Sequence, residues 1–162
     1  APFIPIAQAL VVEMGGEPFE IAEEDRGVYH AALNHGANFL ATVVAQSKQI
    51  LSTVGIEDPG TFLRPLCEAA LDRALRAGDR GVSGPIPRGD VGTIREHLSV
   101  LETKAKEENL AGEGQWAHRL EEARSTYAAM TLHTVDLLEF EGRISSQVAS
   151  EIRAAVREMG EK

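Results

Sequence analysis

The sequence holds one cysteine in 162 residues, four lysines, one tryptophan, and no charged side chain between Gly27 and Ser47. Each scarcity removes a class of function. Cys67 stands alone inside the apolar helical run FLRPLCEAALDRAL, so a disulfide framework and a thiolate zinc cluster are both excluded, and it reads as a small core residue. Four lysines in a chain of net charge -9 supply no basic patch, which argues against nucleic acid and against anionic membrane surfaces as partners. No secretory leader pattern opens the chain, and no apolar run approaches the roughly 20 residues of a membrane span. The expectation is a soluble cytoplasmic protein. The opening APFIPI lacks an initiating methionine, which was either removed or lies further upstream in a longer protein.

What the sequence does contain is helix. Its length fits one domain, large enough to bury about two thirds of the surface that the unfolded chain exposes. Ile6, Ala9, Leu10 and Met14 carry helical spacing over residues 5 to 14, and Gly15-Gly16 stops it. PFEI then predicts one short strand with no partner in an otherwise helical chain, as expected for the edge of a sheet whose other strands lie upstream. Glu23-Glu24-Asp25 opens a helix of about 30 residues that ends near Thr53. Asp58-Pro59 begins the next as cap and first residue, and Gly78 closes it. Residues 78 to 92, with five glycines and two prolines, form the conspicuous loop. Asp90 caps a helix through His97 and Leu101. A long helix runs from about Trp116 to Glu139, and SSQVASEIRAAVREM makes a short last one. The predicted fold is mainly α, a bundle around a long central helix.

That central helix poses the functional question. A stretch of 21 uncharged residues in an acidic chain predicts a helix surrounded by protein on most sides. Yet His30, Asn34 and Asn38 recur every four residues, a slanted row about 12 Å long. They share a sector with His35, Thr42 and the small residues Ala31, Ala41 and Ala45, as a wet cleft or a close helix contact requires. In one reading the two amides bond a neighbouring helix or a twin subunit and specify packing only. In the other, His30 transfers a proton beside two amides that hold a carbonyl or carboxylate. His35, at the margin of the sector, reads as structural.

Other candidates are weaker. The loop VSGPIPRGD matches no phosphate-loop spacing, and its two prolines remove two backbone donors. Arg88-Gly89-Asp90 spells an adhesion tripeptide, but capping is the simpler role for Asp90. Ser83, Arg80 and Arg88 are carboxylate ligands if the loop folds over the polar row. His97, His118 and His133 fall on separate stretches without metal-ligand spacing, so no metal site is expected.

The order GGEPFEI, EDRGVYHAALNHGANFL, SGPIPRGDVGTIREHL resembles the C-terminal helical domain of a bacterial Rossmann-like oxidoreductase family long labelled a domain of unknown function. That domain is akin to those of phosphogluconate dehydrogenase, pyrroline-carboxylate reductase and ketopantoate reductase. The likeness covers about residues 1 to 137. It implies that residues 1–22 are the last pieces of a dinucleotide-binding fold and that 23–141 form the substrate and dimerisation domain. The extra helix of 142–162 lies outside it.

The resemblance also implies NADP or NAD as cofactor, held mainly by an N-terminal domain, since GxGxxG is absent here. It further implies a small carboxylate substrate in the interdomain cleft and a homodimer made through the long helix. Ketopantoate reductases carry lysine, asparagine and asparagine at the same four-residue steps. Those steps fall here on His30, Asn34 and Asn38, with histidine as the acid; Ser83 and Asp90 are the nearest counterparts of the serine and carboxylate that follow. The expected activity is reduction of a small 2-oxo acid or imine. A non-catalytic dimerisation module and a ligand-sensing domain are the alternatives.

Overall fold

The computed structural model describes residues 3–160, so the outermost residues of the predicted 1–22 and 142–162 segments lie outside the described ones. The described residues form six α-helices and no strand: α1 (Ile4–Glu13), α2 (Arg26–Ser52), α3 (Pro59–Ala77), α4 (Val91–Leu110), α5 (Gly114–Phe140) and α6 (Ser146–Gly160). The mainly α reading holds. The predicted PFEI strand does not: residues 16–22 are irregular backbone, because a strand needs a ladder partner and the described chain offers none.

The helix boundaries follow local chemistry. Asp58 accepts a hydrogen bond from the Thr61 N–H at 3.2 Å and Pro59 takes the first turn of α3. Asp90 does the same for α4, accepting from the Thr93 N–H at 3.0 Å and from the Thr93 hydroxyl at 2.7 Å. Gly89, just before that cap, has φ 65°, and a Cβ there would meet Val148 Cγ1 at 3.1 Å, so the turn and the packing both call for glycine.

The chain divides into two compact units, residues 1–40 and 41–162; α2 contributes its first turns to one and its last turns to the other. In the larger unit α4, α5 and α6 enclose the core. Ile94, Leu98, Val135, Leu138, Ala149 and Ile152 are buried together there, at 0 to 1% exposure. A second cluster, Leu101, Ala105 and Leu120, continues along the α4–α5 contact. α6 thus closes this core with Ala149, Ile152 and Val156. Arg153 on α6 pairs with Asp136 at 2.6 Å and Glu139 at 2.7 Å on α5, which fixes the register of the two helices. Arg143 ties the 78–90 loop down, donating to the carbonyls of Asp79 and of Val82, the latter at 3.1 Å.

Two expectations of burial are corrected. α3 buries only Pro59, so Cys67 is half-buried instead of a core residue. α2 buries nothing: Val28, Leu33, Phe39 and Leu40 remain 72, 54, 54 and 42% exposed. Lack of charge marks a surface that avoids water, yet residues 30–40 all remain exposed among the described residues.

Candidate functional site

The smaller unit carries the polar row. His30, Asn34 and Asn38 lie on consecutive turns of α2 and are all exposed, not enclosed as the uncharged run had suggested. Asn38 Nδ2 donates to Asn34 Oδ1, so the two amides are oriented by one another and the Asn34 NH2 is turned outward from that bond. His35 stacks edge-on against Phe39 with ring centroids 5.3 Å apart, a structural contact.

The His30 end of the row borders a hollow of about 320 Å³ lined by Phe19, Ile21, Ala22, Arg26, Tyr29 and His30. Its walls come from the irregular segment that follows α1. The Phe19 ring meets Tyr29 edge-on at 6.0 Å, and Tyr29 lies 5.6 Å from the His30 ring. Gln8 of α1 donates to Glu20 at 3.1 Å, anchoring that segment. The hollow therefore pairs apolar walls with a guanidinium, a phenol and an imidazole. Arg26 had escaped attention among the acidic residues beside it. Its signal was nonetheless present, since it stands four residues before His30 and begins the same row.

Ser83 and Asp90 belong to the larger unit. Ser83 is exposed in the loop. Asp90 is engaged as a helix cap, and the Thr93 hydroxyl, then its N–H, hold the carboxyl below the usual carboxylate range, with Arg88 and His97 adding to the effect. Arg88 stands 3.9 Å from Asp90. Arg80 lies in the 3-10 turn Gly78–Gly81.

The larger unit has hollows of its own, and their chemistry differs. One of about 360 Å³ is apolar, lined by Ile50, Val54, Val100, Leu101 and Leu120 with Lys104 at its edge. Lys104 is occupied, 2.8 Å from Glu108 and 3.6 Å from Glu107, and Glu108 raises its pKa further. A smaller one of about 140 Å³ lies beside Tyr127 and Gln46, the latter donating to Thr126 at 3.0 Å. Among the described residues no group of three His, Cys, Asp or Glu side chains is placed to hold a metal, and no helix is long and apolar enough to cross a membrane. A dinucleotide site fares no better, since the strand–glycine turn–helix that cradles a pyrophosphate has no counterpart among the described residues.

No curated protein and no solved structure matches the sequence. A family match does cover residues 1–134, which include the hollow, the whole polar row and the Ser83–Asp90 loop, and the chain belongs to that family, Domain of unknown function (DUF2520).

Proposed function

We propose that this chain is the substrate-binding and dimerisation part of an NAD(P)-dependent oxidoreductase that reduces a small 2-oxo acid or a related imine. The observation that carries the reading is the hollow at the start of α2, where His30 stands beside a guanidinium and a phenol with two preoriented amides on the following turns. Since the described residues do not form a dinucleotide site, the part assigned to this chain is limited to its own side chains. Asn34 and Asn38 hold the substrate's carbonyl and carboxylate through their amides, and His30 gives a proton to the carbonyl oxygen as charge develops there. Ser83 and Asp90, which the resemblance offered, belong to the other unit and take no part in this assignment. The resemblance to ketopantoate reductase supplies the reaction class, and the step-of-four row supplies the residues.

The test is NADPH- and NADH-dependent turnover of a panel of 2-oxo acids by the protein as made in its own cells, with His30→Ala compared against wild type. Turnover should fall by about a hundredfold or more while thermal stability is unchanged. Equal turnover in the variant removes His30 from the chemistry.

A second reading is favoured by the exposed apolar residues of α2: a non-catalytic homodimerisation module in which Asn34 and Asn38 face the twin subunit. It expects alanine at both positions to weaken self-association and to leave ligand binding untouched.

A further inference from the structure

Arg26, His30, Asn34 and Asn38 follow one another at steps of four on α2, so the row has a cationic end that the amide reading leaves unused. Two observations give that end a task. The Asn38 amide already donates to Asn34 Oδ1, so one of the row's N–H donors is spent within the row itself. The Arg26 guanidinium, by contrast, borders the same hollow as His30 and Tyr29, and a carboxylate already sits on it: Glu23 Oε2 is 3.0 Å from Arg26 Nη2.

That ion pair is screened by solvent. Its side chains are 64 and 79% exposed, and pairs so placed contribute little net attraction. A guanidinium presents a planar fork that matches two carboxylate oxygens at once, whereas a glutamate three residues away on the chain is constrained by its own backbone. An incoming small carboxylate would satisfy the same fork while its hydrocarbon part rests on Phe19, Ile21 and Ala22. One helical turn, about 6 Å, separates Arg26 from His30 along the axis. A carboxylate held at the first residue thus leaves an adjacent carbonyl within reach of the second.

We infer that Arg26 is the carboxylate receptor of this site, that Glu23 is its internal competitor, and that the ligand is a small monocarboxylate whose apolar part lies in the Phe19–Ile21 hollow. This rests on the functional reading above and relocates the carboxylate from the amides to Arg26. Glu24 and Asp25, adjacent to Glu23, would repel a second ligand carboxylate, which sets the preference for one.

The experiment titrates the 162-residue chain with butanoate and with 2-oxobutanoate, following the ring resonances of Tyr29 and His30 by NMR. Arg26→Gln should weaken both ligands about tenfold, and Glu23→Gln should tighten both about threefold by removing the competitor. His30→Ala should weaken only 2-oxobutanoate. Affinities indifferent to Arg26→Gln, or unimproved by Glu23→Gln, overturn the inference. If 2-oxobutanoate then still binds in a His30-dependent way, the functional reading survives without it. If butanoate and 2-oxobutanoate bind alike, both needing Arg26 and neither needing His30, the receptor stands and the contact of His30 with the bound carbonyl falls. An absence of saturable binding by either ligand overturns both.

Discussion

His97 Nδ1 lies 2.9 Å from the Tyr127 hydroxyl, a hydrogen bond that joins α4 to α5 across 30 residues of sequence. Burial holds the Tyr127 hydroxyl above its usual pKa of 10.0, and a hydrogen bond with Thr131 works against it. The folded protein therefore keeps this proton where the unfolded chain has lost it. Stability from Tyr127 is complete below about pH 10 and declines as pH rises through the folded value. Tyr127→Phe should cost about 1 kcal/mol at neutral pH and flatten that alkaline decline, as urea unfolding at neutral and alkaline pH would register.

Asp90 titrates in the opposite sense. Its carboxyl is held below 3.8 chiefly by the Thr93 hydroxyl, so its contribution is present above that pH and lost as pH falls through the lower folded value. Asp90→Ala should lower Tm by roughly 3 °C at neutral pH and by less in acid. Asp90→Asn, which keeps an accepting oxygen, should recover most of the loss. A variant that loses ligand affinity with no change in Tm would instead give Asp90 a role in the site.

Ile152 of α6 is fully buried against α4 and α5. Ile152→Ala should destabilise the larger unit by about 3 kcal/mol, in line with other deletions of buried branched side chains. Chemical denaturation monitored by Trp116 fluorescence would measure it. A loss below about 1 kcal/mol would mean that α6 is a removable cover.

Leu33 and Phe39 are each 54% exposed on the uncharged part of α2. On the homodimer proposal, Leu33→Glu with Phe39→Glu converts a dimer to a monomer in sedimentation equilibrium, since a buried carboxylate at such a face is strongly disfavoured. A wild-type chain that is monomeric at every concentration would end the proposal.

What the sequence made legible was chemistry confined to a few adjacent residues. Asp58-Pro59 and Asp90 announce helix starts because the cap, its N–H donor and the first turn lie within four residues. PFEI misled for the same reason in reverse: four residues of suitable composition say nothing about whether a ladder partner exists. The uncharged run of α2 was plain to see, but the surface that meets it is not encoded in the run. Arg26 was hidden by its neighbours Glu23, Glu24 and Asp25, which made it look like part of a solvated helix start. The pairing of His97 with Tyr127 and the grip of Arg143 on the Asp79 and Val82 carbonyls join residues 30 to 64 positions apart, and no local pattern announces them.

The packing of α6 also has a consequence for synthesis. Its core residues follow Leu98 and Val135 in the chain, so a ribosome releases the apolar faces of α4 and then α5 before the helix that covers them. At about 5 to 20 residues per second, Leu98 waits roughly 3 to 11 seconds for Ile152. Once Leu138 has been made, the nascent α4–α5 hairpin carries an open seam of Ile94, Leu98, Val135 and Leu138 until the last helix follows.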